Sequence, residues 1–396
     1  MRTPHYSFSS AGVIAVTLLL AAALLLHGCS RQQPAAGRAA AVPITSGDWP
    51  LFRGDARLSG VAAGALPERL ALRWSFKAAE NIKSSPVIAG GRVFIGAGSS
   101  VIALSAAEGR LLWRFKTDGD VEAPPLCLAG GVFVGDADGT LYALDAAHGT
   151  RRWAYRTEGK IAGAANSFPA PDGKNLRLIV GSYDTTLHCL DAATGTLLWK
   201  YETGNYINGA PAVADGRIVF GGCDAQVHVL NGDGQPQGQV DARAYVAGSI
   251  ALAGKQGFLG QYGNQVLCVD LAAMTVVWTY GDEKEGAPFF SSPTITADRL
   301  VIGGRDGAVH CLRRTDGKRL WLFHTRGDVD SSPVVCGDKV AVGSSDGRLY
   351  LLRLADGNLL WSYEIGAPIT TSPAIGAGLV VVAADDGTVY AFGAAP

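Results

Sequence analysis

Four groups of residues in this 396-residue chain are of types that do chemistry. Gly343-Ser344-Ser345-Asp346-Gly347 matches G-x-S-x-G by letter, the motif that offers a serine nucleophile on a strand-to-helix turn. Asp136-Ala137-Asp138-Gly139 spells part of a calcium loop, in which alternate carboxylates reach a hard cation. His188, His228 and His310 would ligate zinc if the fold gathered them. Besides Cys29 there are six cysteines, Cys127, Cys189, Cys223, Cys268, Cys311 and Cys336, an even number that invites disulfides in an oxidising compartment. Each possibility depends on the elements that hold these residues, and those elements repeat.

The segment from Gly135 to Trp153, GDADGTLYALDAAHGTRRW, recurs in altered form up to Trp199, Trp321 and Trp361. The position of Ala143 recurs at Ala103, Cys189, Val229, Cys268, Cys311, Leu351 and Ala391, at spacings of 39 to 46 residues. Each unit reads as four short strands. An apolar strand follows a small-residue start, as in Ser331-Ser332-Pro333-Val334-Val335. A turn leads to a second strand such as Lys339 to Gly343. An Asp-Gly pair (Asp138-Gly139, Asp306-Gly307, Asp346-Gly347 or Asp386-Gly387) then makes the tight hairpin, because this pair tolerates the positive φ that such turns demand. The third strand alternates, and the fourth carries a tryptophan.

Four antiparallel strands cannot bury both faces alone, whereas radial stacking of eight units into a closed ring does so. The expected fold is therefore all-β, an eight-bladed β-propeller over residues 70–396. Fourth-strand tryptophans stand at Trp113, Trp153, Trp199, Trp278, Trp321 and Trp361, and the last unit has none. The spare copy lies ahead of the first unit, in Leu70 to Phe76, so the strand around Trp74 should complete the eighth blade and seal the ring. In the fourth blade Gln239 stands where tryptophan is expected, and its outer strand should be the least well packed.

The repeat disposes of most of the chemistry. G-x-S-x-G falls on a hairpin tip whose serine is replaced in sister blades, and Asp136-Ala137-Asp138-Gly139 lacks the bidentate Glu of a calcium loop. The three histidines occupy one repeat position on three different blades, where others have Tyr142, Tyr350 and Tyr390, so they fill an aromatic slot. Cys189, Cys268 and Cys311 replace Ala103, Ala143 and Ala391 at a site for small buried groups, which points to reduced, inert thiols.

Composition agrees with the fold. Glycine at 52 residues is too frequent for a helical bundle, and 48% hydrophobic against 17% charged residues is too apolar for disorder. A net charge of −1 leaves no basic surplus for phosphates, so nucleic acid is not an expected partner. Arg2 and the uncharged run Ala11 to Leu26 suit a signal peptide over residues 1–28, being short for a bilayer span. Residues 29–47, rich in Ala, Gln and Pro, read as a flexible tether, and 48–69 as a lead-in to the propeller.

Two resemblances add to this reading. Gly28-Cys29 resembles a lipobox, which implies lipidation at Cys29; Ser30 is compatible with outer-membrane sorting, so the chain would lie on the periplasmic side of that membrane. The run D-x-x-x-G-x-x-x-W, as from Asp145 to Trp153, resembles the tryptophan-docking motif of quinoprotein-type (PQQ-like) propellers. Within that group a compact eight-bladed lipoprotein is similar to the BamB family of outer-membrane-protein assembly lipoproteins. There the tryptophans pack between neighbouring blades, which implies a docking role for Trp74 and the six fourth-strand residues. The resemblance implies a monomeric, non-enzymatic scaffold that binds envelope proteins, with the lead-in Trp49 to Gly54 similar to that of bacterial PQQ-repeat proteins. The loop from Glu202 to Ala210 matches one that grips the assembly barrel protein in BamB, without the arginine found there. Asn205, Tyr206, Asn208, Phe289, Phe290, Asp328 and Asp330 are the candidate contacts, with the Phe289-Phe290 pair either plugging the channel or anchoring a partner.

The enzyme branch of the same group implies a different function, a dehydrogenase of a small alcohol or sugar using PQQ and calcium. Glu122 and Asn208 suit its calcium pair, but Ala247 stands where its Asp base would be, and no adjacent cysteines form its vicinal disulfide. No catalytic residue, cofactor or metal is therefore assigned. An envelope sensor or carbohydrate-binding propeller is a third reading.

Overall fold

The computed structural model describes residues 47–395; the signal-peptide and lipidation assignments, Cys29 included, lie outside the described residues. The described chain is all strand and turn. Blade 1 contains Val87–Ala89, Arg92–Gly96, Ser100–Ser105 and Leu111–Lys116, paired antiparallel in that order. Blades 2 to 7 repeat the plan over 126–156, 166–202, 212–241, 251–280, 294–324 and 334–364. Blade 8 takes three strands from 374–394 and its outer strand from Leu70–Lys77, with Trp74 opposite Ala391. The strand Leu70–Lys77, ahead of the first blade, thus closes the ring as the repeat requires.

The first strands line the axis, and a belt of serines joins them. Backbone N–H groups of Ala210, Ser249, Ser292, Ser332 and Ser372 each donate to a serine hydroxyl of the next blade, namely Ser249, Ser292, Ser332, Ser372 and Ser85, at 2.8–3.0 Å. This is the physical use of the small-residue start of each unit. Buried amides that lack a partner would cost about 1–3 kcal/mol each.

Tryptophan docking joins the outer strands. The Trp74 indole N–H donates to the Ala106 carbonyl at 2.8 Å, and Trp113, Trp153, Trp199, Trp278 and Trp321 reach carbonyls of their next blades at 2.9–3.2 Å. Each ring lies on a glycine of the neighbour with positive φ. A Cβ at Gly109 would fall 2.5 Å from the Trp74 ring and one at Gly149 2.6 Å from the Trp113 ring, so the Gly of D-x-x-x-G, as in Asp145 to Gly149, is fixed by both close approach and backbone conformation. Trp361 packs differently, against Tyr363 and Phe392.

Blade 4 corrects the sequence reading. Val229 pairs with Gly238, so the tryptophan position is Gly238, not Gln239, which lies opposite His228. The adjoining glycine position in blade 5 is Met274, at φ +54°, and its thioether occupies the space where the indole would lie, 2.8 Å from a Cβ built on Gly238. Large and small residues have exchanged sides of this interface. The edge counted as poorly packed is filled from the neighbouring blade.

The segment from Gly47 to Ala62 has a role that the repeat did not reveal. It circles the axis and bonds the first strand of each of the eight blades, or the residue just past it, in turn. Gly47, Trp49 and Pro50 accept from Ala377, Ile88 and Cys127 of blades 8, 1 and 2. Ala56 accepts from the Asn166 amide and from Val213 N–H, bridging blades 3 and 4. Arg57, Ser59 and Gly60 accept from Leu252, Ile295 and Val335 of blades 5, 6 and 7, where Val61–Ala62 adds a parallel strand. Arg53, only 1% exposed and at φ +67°, donates across the ring to the Ser332 and Pro293 carbonyls and to Thr294 Oγ1. Burial pulls its pKa down to about 9 despite nearby Asp55, and its Nε has no partner.

Candidate functional site

The lead-in covers the end of the axis where the first strands finish, which leaves the end where they begin as the open mouth. Two positions per blade build this rim, tied by a backbone bond. A residue one or two past the second strand donates to a loop carbonyl before the first: Gly98 to Asn81, Ala137 to Asp120, Tyr183 to Lys160 and Cys223 to Tyr206 in blades 1 to 4. Tyr262 to Tyr245, Arg305 to Pro288, Ser345 to Asp328 and Asp385 to Pro368 follow in blades 5 to 8. The backbone repeats while the side chains do not. Tyrosines gather on blades 3 to 5, and acidic residues on blades 7, 8 and 2.

Tyr183 stacks on Tyr206 with centroids 4.8 Å apart and planes 5° from parallel, and its hydroxyl donates to Asn208 Oδ1. Tyr245 meets Tyr262 edge-on at 6.3 Å, and Tyr262 meets Phe290 at 5.0 Å. Arg305 lies 3.8 Å over the Phe290 ring and holds Asp330 through two bonds of 2.9 and 2.8 Å. Across the mouth, Thr370 donates to Asp385 at 2.7 Å.

Of the sequence candidates, Tyr206, Asn208, Phe290, Asp328 and Asp330 therefore belong to one rim, with Asn205 half-buried beside Tyr206. Phe289 does not join them. It is buried in the interface between blades 5 and 6 against His310, so it neither plugs the channel nor meets solvent. Tyr183, Tyr245, Tyr262 and Arg305 were missed, although their departure from the Gly, Ala, Asp and Pro of sister blades was a visible signal.

Glu122 and Asn208 do not form a ligand set for a divalent cation. The Glu122 carboxylate is held by Lys160 at 2.5 Å and Lys83 at 3.4 Å. Burial opposes its charge, but the two ammonium groups outweigh that and keep its pKa below the usual carboxylate value. Asn208 is engaged by Tyr183, over which Lys160 lies at 5.7 Å. Ammonium groups occupy the place where a calcium site requires free oxygen ligands. Glu122 and Asn208 thus do not fit the calcium pair of a PQQ site.

The remaining chemistry-bearing groups resolve into architecture. Ser344 and Ser345 lie on the hairpin between Lys339–Gly343 and Arg348–Arg353. The Asp136 carboxylate accepts from the N–H groups of Asp138, Thr140 and Gly119, so it wraps its own turn. The six described cysteines are free, and burial raises the Cys189 and Cys268 thiols to about 12. His188, His228 and His310 sit on blades 3, 4 and 6, and no group of three His, Cys, Asp or Glu among the described residues could hold a metal. Each is instead the middle of a relay across a blade interface. Tyr155, Tyr201 and Tyr280 of the preceding blades meet Nδ1 at 3.0–3.2 Å, and Asp184, Asp224 and Asp306 meet Nε2. Where the slot holds Tyr142 or Tyr350, the preceding blade offers Phe115 or Phe323, which needs no hydrogen-bond partner.

Comparison with known proteins follows the architecture. The family model described as outer membrane protein assembly factor BamB matches residues 68–176, 166–321 and 224–395. BamB from Moraxella catarrhalis is similar in structure, with a TM-score of 0.68, 20% identity and coverage of 82% of this chain and 98% of that one. Quinohemoprotein alcohol dehydrogenase from Comamonas testosteroni gives a TM-score of 0.74 at 14% identity, covering 88% and 81%. The computationally designed protein Ika8 gives 0.69 at 18%, covering 85% and 99%. No curated protein matches the sequence. At these identities the solved structures speak for the fold alone.

Proposed function

Since the chain belongs to the family described as outer membrane protein assembly factor BamB, we propose that it is a non-enzymatic scaffold lipoprotein that binds envelope proteins during outer-membrane protein assembly. The observation that carries this reading is the state of the mouth. Its ionic groups are paired with one another, Glu122 with two lysines and Arg305 with Asp330, while aromatic surface is left exposed. Catalytic sites hold perturbed, unpaired groups ready to accept or donate protons, whereas binding faces hold aromatic and arginine contacts inside a polar rim. Loops on a rigid scaffold suit such contacts.

In this reading Cys29 carries lipid after removal of residues 1–28, and the propeller hangs on the periplasmic side of the outer membrane. Asn205, Tyr206, Asn208, Phe290, Asp328 and Asp330 supply partner contacts. Mild cross-linking in envelopes followed by purification should recover outer-membrane assembly proteins, with yield reduced by Tyr206→Ala. Recovery of no envelope protein would overturn the reading. Mass spectrometry of the N-terminal peptide tests the acylation separately, and a retained leader would refute it. The alternative, a PQQ-dependent dehydrogenase, predicts dye reduction after reconstitution with PQQ and calcium.

A further inference from the structure

We propose that the blade 3 to 5 side of the mouth is a glycan platform, which takes a neutral oligosaccharide across Tyr206, Tyr245 and Tyr262. Among the described residues, the exposed large apolar side chains divide by type and place. The aliphatic ones, such as Leu111, Leu198 and Leu359, lie on outer strands or, like Val61, on the lead-in, whereas the three exposed tyrosines are all at the mouth. Tyr206, Tyr245 and Tyr262 remain 47%, 52% and 54% exposed, and no blade contact requires them, because sister blades build the same backbone bond with Asn, Asp, Pro or Gly. Leaving large rings wet on a rigid scaffold forfeits burial unless something covers them.

The chemistry of the rim narrows what that is. A pyranose has flat C–H faces and a hydroxyl-bearing edge. It stacks on aromatic rings that are apolar across the face and wet at the tip, as tyrosine is. The parallel Tyr183–Tyr206 pair offers such a face in one fixed orientation. Asn208, on the same blade as Tyr206, has its Oδ1 taken by Tyr183, which leaves its amide N–H groups to donate to a sugar hydroxyl. Lys83, Lys160 and Arg305 at the mouth are each paired with a carboxylate, of Glu122, Asp328 or Asp330, and Asp385 adds a further negative charge, so a neutral glycan is favoured over phosphorylated or uronic polymers. An aliphatic protein segment would be matched by leucines and valines, and these are absent from the exposed large apolar residues of this face.

Isothermal titration of the purified protein with the tetramer of N-acetylglucosamine and with cellotetraose tests the site. At least one tetramer should bind, and the better ligand identifies the sugar class. Tyr206→Ala and Tyr262→Ala should each weaken binding about tenfold with an unchanged unfolding midpoint, while Tyr262→Phe, which keeps the ring, should retain most of it. Arg57→Ala on the lead-in face should have no effect. Binding of neither tetramer, or binding that survives the Tyr206→Ala, Tyr262→Ala double variant, would overturn the proposal. Recovery of envelope proteins by cross-linking is a separate readout, so either reading can fail alone.

Discussion

The exchanged pair at the interface of blades 4 and 5 permits a quantitative test of tryptophan docking. Gly238→Trp alone places an indole where the Met274 side chain already lies, 2.8 Å from the new Cβ, and must also draw φ from +157° into extended backbone. Overpacking of this kind costs about 1–3 kcal/mol. Met274→Gly alone loses a half-buried thioether but relieves a non-glycine residue at φ +54°, a conformation costing about 1–2 kcal/mol, so its net effect should be small. The double variant recreates the arrangement of Trp74 on Gly109, with the Leu271 carbonyl at the position of the Ala106 acceptor. A docked tryptophan buries about 150–250 Å², so clash relief plus restored burial should give a coupling energy of about 2–4 kcal/mol. The backbone adjustment at residue 238 is common to the single and double variants and cancels in the cycle. Urea unfolding of the four proteins measures this directly. Additivity within about 0.5 kcal/mol would refute the view that the indole and the glycine facing it act as one unit.

Arg53→Met should cost about 2–4 kcal/mol in urea unfolding, because it strips donors from buried carbonyls of blades 6 and 7, and it should speed amide exchange at Ile295 and Val335 first. Stability should also fall on acidification. Burial lowers the His188 and His228 pKa values against the pull of Asp184 and Asp224, so the folded state prefers the neutral rings. Their contribution is complete above about pH 6.5 and declines as pH falls below it, levelling off once the folded values are passed. Burial opposes the charge of Asp184 too, but hydrogen bonds and His188 hold its pKa down, so its share is lost further down, as pH falls through the carboxylate range. The double variant Tyr155→Phe, His188→Tyr copies the Phe115–Tyr142 interface and should flatten the slope between pH 7 and pH 5; an unchanged slope would exclude His188 as a source.

The sequence carried the fold because the propeller is built from contacts that recur. Hairpins at Asp-Gly pairs, small starts such as Ser331-Ser332-Pro333, and the Asp-to-Trp run each satisfy a need local to one blade or its neighbour, so each leaves a periodic trace. Even the closing strand was readable as the displaced copy around Trp74. Gln239 was taken for the tryptophan position because the turn before the outer strand is one residue shorter in blade 4, closing Gly234 onto Asn231 where blade 3 closes Gly195 onto Asp191, so a count from Asn231 overshoots Gly238 by one.

Contacts without a period were decided only by the closed ring. Arg53 reaches carbonyls 240 and 279 residues away, and the lead-in bonds all eight blades from one stretch of chain, so neither has a sister copy to reveal it. The same holds for the mouth. Tyr206, Tyr245 and Tyr262 are isolated departures from the repeat in sequence, and Phe289 and Phe290 are adjacent letters with opposite fates. Alternation along the chain sends neighbouring side chains to different surroundings, and only circular closure turns the tyrosines of successive loops into one surface.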